Sequence, residues 1–141
     1  MQIIVCESRG TWATALRRVL PVGSQLRESR SLIECAAHLL AATNSLVVVE
    51  LTADNAPQVI ERVELWRRRF PASVMILVAA RELASWRDLA IEAGVACFLT
   101  SPRELLDVAA ILDRHRRRFP QPATATAERI WKELPFATAV A

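Results

Sequence analysis

Leu46-Val-Val-Val-Glu50 is an uninterrupted apolar run that ends on a carboxylate, and its reading decides the fold. A strand that is apolar at successive positions offers no face to water, so it belongs at the centre of a parallel sheet covered on both sides. The flanking sequence keeps the same rhythm. Upstream, Ile3-Ile4-Val5 is a short strand, followed by helical spacing at Trp12, Ala15, Leu16 and Val19 before Pro21. A polar strand over residues 25–30 precedes Ser31, a good N-cap for a helix carrying Ile33, Ala36, Ala37 and Leu40. Downstream, Pro57 suits the first turn of a helix with Val59, Ile60, Val63 and Trp66, ended by Phe70-Pro71. Residues 74–78 form a fourth strand. Residues 82–93 read as one helix with Leu83, Trp86, Leu89 and Ala90 on one side, stopped by Gly94. Residues 96–99 form a fifth strand, and a last helix from about residue 103 presents Leu106, Ala109, Ala110 and Leu112.

Strands alternating with helices indicate an α/β, three-layer sandwich built on a five-stranded parallel sheet. Right-handed crossovers favour the flavodoxin-like order 2-1-3-4-5, with helices on both faces. Such sheets place their sites beyond the C-terminal ends of the strands, so Cys6-Glu7-Ser8, Glu50-Leu51-Thr52, Ala79-Ala80 and Thr100-Ser101 are expected to converge. Residues 1–120 are assigned to this domain. Residues 121–141 begin as a small-residue linker and continue into an apolar tail, where Trp131, Leu134 and Phe136 are anchors for the domain itself or for a partner.

Composition narrows the function classes. A chain of 141 residues that is 52% hydrophobic suits one folded domain and excludes a disordered chain. No apolar run approaches the ~20 residues of a membrane span, and the first residues lack a secretory signal, so a cytoplasmic protein is expected. Cys6, Cys35 and Cys97 have no CxxC spacing and read as reduced, buried groups. The net charge is +3, and 17 of the 18 cations are arginine. Arg67-Arg-Arg-Phe-Pro71 and Arg116-Arg-Arg-Phe-Pro120 each close a helix, where cations offset the macrodipole. The two helices belong on different sheet faces, so the clusters should not form one continuous groove and a nucleic-acid partner is not favoured. His38 and His115 lack neighbours at ligand spacing and read as solvated or helix-capping groups. No catalytic triad, P-loop or dinucleotide fingerprint is present, so no enzyme, cofactor or metal site is expected.

Gly94-Val-Ala-Cys-Phe98-Leu-Thr-Ser101-Pro102 resembles the Gly-Ala, aromatic and Lys-Pro sequence of the CheY-like receiver domains of response regulators. Leu46-Val-Val-Val-Glu50 is similar to that family's strand ending in the phosphoacceptor Asp. The resemblance covers residues 1–119 and implies where the family's chemistry would lie. Its Mg²⁺-holding acidic pair falls on Cys6 and Glu7, its acceptor on Glu50, its hydroxyl on Ala79 or Ala80, and its lysine on Ser101. The switch aromatic falls on Phe98, which otherwise reads as an ordinary half-buried strand residue, and the family's Lys-Pro offers a cis bond at Ser101-Pro102 against the base-rate expectation of trans. Of the pocket groups, Glu7 and Glu50 keep carboxylates. Each lost contact to the phosphoryl oxygens removes ~3 kcal/mol of transition-state stabilisation.

The resemblance therefore implies a degenerate pseudo-receiver in two-component signal transduction, working by protein–protein contact without the Asp/Mg²⁺/Lys chemistry. Its output face would be helix 4, strand 5 and helix 5, used for a partner or a homodimer, with Trp86, Arg87, Phe98 and Arg103 as contact residues. Glu50 reads either as a mimic of a phosphorylated Asp or as a polar residue at a solvated strand end. Two alternatives stand beside this reading: an atypical receiver answering to a phosphoryl group or Mg²⁺ through Glu50 and Glu7, and a basic nucleic-acid adaptor.

Overall fold

The computed structural model describes residues 2–118. The expected tail anchors Trp131, Leu134 and Phe136, and the boundary at residue 120, lie outside the described residues. Strands β1 (Gln2–Cys6), β2 (Gln25–Ser29), β3 (Leu46–Leu51), β4 (Val74–Ala79) and β5 (Cys97–Leu99) form one parallel sheet in the order β2-β1-β3-β4-β5. The helices are α1 (Thr11–Val19), α2 (Leu32–Ala41), α3 (Ala56–Arg69), α4 (Arg87–Ala93) and α5 (Leu105–Arg118). This is the flavodoxin-like topology that the alternation implied.

β3 is central and buried on both sides. Val47, Val49 and Leu51 face the layer made by α2, α3 and α4, while Leu46 and Val48 face the layer made by α1 and α5. Fully burying a side chain of this size stabilises by about 1.5–3 kcal/mol, so a polar residue here would be strongly selected against by packing. The polar strand over 25–30 is real and sits at the sheet edge, paired with β1.

Three helices depart from their expected form. In α2 the buried face is Cys35 and Leu39, while Ile33, Ala37 and Leu40 are exposed. The segment read as one helix is a 3-10 helix, Arg81–Trp86, followed by α4. Three residues per turn bring Leu83 and Trp86 together against the core, and the change of pitch then turns Leu89 outward, where it is 45% exposed, leaving Ala90 and Ala93 inside. In α5 the buried face is Leu105, Val108, Leu112 and His115, not one containing Leu106, which is 71% exposed. A 3-10 turn, Pro102–Glu104, whose N-cap Ser101 accepts from Arg103 N, sets this phase.

His115 is also buried rather than solvated, with Nε2 3.1 Å from the carbonyl oxygen of Asn44. The arginine clusters do lie on helices of opposite layers, as expected. Their ends nevertheless meet below the N-terminal edge of the sheet, where Arg67, Arg114 and Arg118 line one cleft of about 470 Å³. Gly94, at φ +102°, is covered by the Arg67 side chain, which leaves no room for a Cβ. Among the described residues, no helix is long and apolar enough to cross a membrane.

Candidate functional site

At the C-terminal edge of the sheet, a cleft of about 830 Å³ opens beside the ends of β1 and β3 and between α2 and α3. Cys6, Glu7, Ser8 and Glu50 line it, as the topology predicted. Ala79 and Ser101 do not. Ala79 ends β4 in register with Leu51, and Ser101 caps the turn before α5, so the cleft is displaced toward the β1 side of the edge. The Ser101-Pro102 peptide bond is trans.

Glu7 is 3% exposed, and the reason lies in the loop after it. Gly10 turns the chain at φ +83° and supplies the N-cap of α1 without a side chain to cap it. Glu7 takes that role from outside the helix: Trp12 N donates to Oε2 at 2.8 Å and Ala13 N to Oε1 at 3.0 Å. These amides belong to the first turn, which every helix leaves without internal partners. The carboxylate also sits at the positive end of the helix dipole. Both of its oxygens are therefore engaged by backbone amides, an employment that differs from holding a metal ion.

Glu50 is half-buried and positioned by the loop that follows β3. Asn55 ties this loop together: its Oδ1 accepts from Thr52 N at 2.7 Å, and its Nδ2 donates to the Glu50 carbonyl at 3.2 Å. Ser8 Oγ donates to Glu50 Oε1 at 3.1 Å, so a hydroxyl does meet the carboxylate, from the loop after β1 rather than from β4. Arg30 stands at the rim, donating from Nη1 to the Glu7 carbonyl at 3.1 Å. Arg30 and Asn55 are functional candidates that the sequence did not disclose, because each sits in a loop without periodicity, and the pairing of Ser8 with Glu50 was not disclosed either. Ser31 was legible: its Oγ accepts from Glu34 N, while a Glu34 oxygen accepts from Arg30 N.

Among the described residues, no group of three or more His, Cys, Asp or Glu is arranged to hold a metal ion. The floor of the cleft carries a different cluster. Cys6 and Cys35 pack in the same core cluster, with Ser29 beside both. Cys35 as a donor pulls the Cys6 thiol down from its ordinary value, to about 7, while loss of that shared proton and burial push Cys35 up. Cys97, on the other side of the sheet, is pushed up to about 11, mainly by burial.

The expected output face is assembled only in part as foreseen. Trp86 is half-buried against the core, and Arg87 and Arg103 are exposed. Phe98 is 3% exposed, so it is a core residue and not a contact. Its ring points inward and the Arg87 guanidinium lies 5.6 Å from its centroid, as a cation over an aromatic face.

No family model and no curated protein matches the chain. Solved structures do. An orphan response regulator of H. pylori is 17% identical over 82% of this chain and 95% of its own, at a TM-score of 0.63. An atypical orphan response regulator, described as having a phosphorylation-independent regulatory mechanism, is 17% identical over 83% and 96%, at 0.63. The beryllofluoride-activated NtrC4 receiver domain dimer is 18% identical over 81% and 98%, at 0.66. At these identities the likeness establishes the fold: the described chain has the CheY-like receiver fold.

Proposed function

We propose that the chain is a non-enzymatic pseudo-receiver, a cytoplasmic signalling module that acts by protein–protein contact and is not switched by the usual aspartyl-phosphate chemistry. One observation carries this reading. Glu7, the acidic residue left where the resemblance puts the Mg²⁺-holding pair, is engaged as the cap of α1. The replacements at Ala79 and Ser101 agree with it, since neither can neutralise a phosphoryl group. The atypical orphan regulator, with a mechanism described as phosphorylation-independent, offers a precedent on the same fold.

The output face is α4, β5 and α5. Arg87 and Arg103 give it charge, and the exposed Leu106 and Leu89 give α5 and α4 apolar surface. The NtrC4 receiver is a dimer, and a dimer through this face is the simplest form of such contact.

A second reading has its own support. Ser8 Oγ bonds the Glu50 carboxylate, so a hydroxyl meets it from an unexpected position, and the Arg30 cation lines the same cleft. One experiment separates the two: titrate the full chain with Mg²⁺ and beryllofluoride while following tryptophan fluorescence, and record intact mass after acyl-phosphate treatment. The pseudo-receiver gives neither a saturable change nor a mass shift. Labelling of Glu50 that disappears in Glu50→Gln would replace it with the phosphoryl-responsive reading.

A further inference from the structure

The cleft floor holds chemistry that neither reading uses. Cys6 ends β1, and its register partner on β2 is Ser29. Two residues, Arg30 and Ser31, connect β2 to α2, so the second turn of that helix returns over the same spot and brings Cys35 against Cys6. Ser29 Oγ is buried there and finds no well-directed hydrogen-bond partner, its polar neighbours being the two sulfurs. Access differs between the thiols. Cys6 lines the cleft, whereas Cys35 lies wholly buried behind it. Cys97 packs with the opposite layer, away from both.

We infer that Cys6 and Cys35 form a peroxide-sensitive dithiol that closes to a disulfide at the floor of the cleft. Cys6, which a solute in the cleft can reach, reacts first. Its thiolate attacks one peroxide oxygen, the O–O bond breaks, and the leaving hydroxide takes a proton to become water. The Cys35 sulfur then attacks the sulfenic sulfur of Cys6, and the Cys35 proton leaves with the sulfenic hydroxyl as a second water. Two thiols have lost two protons and two electrons, and one peroxide has become two waters. The lowered Cys6 thiol suits the attacking role. The new bond ties β1 to α2, the helix whose Leu32 and Ile33 wall the cleft.

The test is made on the full chain, treated with hydrogen peroxide, denatured, alkylated with N-ethylmaleimide and analysed by intact mass and peptide mapping. The expected product has lost two hydrogens, carries one alkyl group on Cys97 and a Cys6–Cys35 cross-linked peptide, and reverts with dithiothreitol. Three alkylated thiols after treatment, a cross-link to Cys97, or disulfide-linked chains would overturn the inference. In Cys35→Ala the sulfenic acid should persist on Cys6 and react with dimedone, whereas Cys6→Ala should give no dimedone adduct on Cys35. An adduct on Cys35 would reverse the assigned roles and sink this mechanism. The wild-type map stands whether or not the variants fold, and it does not depend on the phosphoryl experiment.

Discussion

Replacing Glu7 by Ala should destabilise the domain without touching any ligand response. The substitution removes the acceptor of two buried amide donors, those of Trp12 and Ala13, and the charge at the N-terminus of α1. A hydrogen bond to a charged group contributes ~1.5 kcal/mol or more, and a carboxylate near a helix N-terminus adds ~0.5 kcal/mol. No side chain at Gly10 can take over. The expected loss is about 3 kcal/mol, equivalent to a fall in Tm of roughly 10 °C for a domain of this size. Glu7→Gln retains one side-chain oxygen and should lose about half as much. Glu50→Gln, at a half-buried position with one side-chain bond, should lie within about 1 kcal/mol of the parent. Urea unfolding followed by tryptophan fluorescence measures all three, since Trp12 is in α1 and buried. A Glu7→Ala protein as stable as the parent, or one whose chief defect is lost Mg²⁺ binding, would refute the assignment of Glu7 as a cap.

Gly94→Ala should destabilise by about 1–3 kcal/mol, because a left-handed conformation and the overlying Arg67 side chain both exclude a Cβ. Combining it with Arg67→Ala should recover the steric part and leave the backbone part, which a double-mutant cycle in urea resolves. Alkylation of Cys6 by iodoacetamide should rise through pH 7 and level off, since its thiol is lowered to about 7, while Cys97, pushed up to about 11, should still be accelerating at pH 9. Identical profiles for the two would contradict the dithiol pair. Leu106→Glu, at an exposed site on α5, should leave stability within about 0.5 kcal/mol and weaken self-association in sedimentation velocity if α4, β5 and α5 are the contact face. An unchanged sedimentation profile in a chain that does self-associate would move the interface elsewhere.

Much of the architecture was legible because burial leaves a compositional trace. β3 is apolar on both sides, and Val59, Ile60, Val63 and Trp66 repeat at the helical period on α3, where all four are buried. The departures over residues 81–93 and in α5 have a common cause. Leu83, Trp86, Leu89 and Ala90 fit a period of three nearly as well as one of 3.6 over so short a segment, and adjacent Leu105 and Leu106 leave the phase of α5 undecided by one residue. Local turns settled both.

By itself the sequence determined the layer order, the strand pairing and the edge where a site must lie, because these follow from which segments cannot face water and from the handedness of their connections. The resemblance also implied which pocket groups of a receiver are replaced. Tertiary structure decided what the remaining groups do. Glu7 became a cap because Gly10 turns the chain so that the α1 amides meet its carboxylate, and Ser8 met the Glu50 carboxylate, Asn55 the Glu50 carbonyl and Arg30 the Glu7 carbonyl through loops that carry no pattern. Cys6 and Cys35 lie 29 positions apart in the chain and touch because a two-residue connection folds α2 back over β1. Contacts of this kind depend on where whole elements land, and single-residue chemistry does not encode that placement.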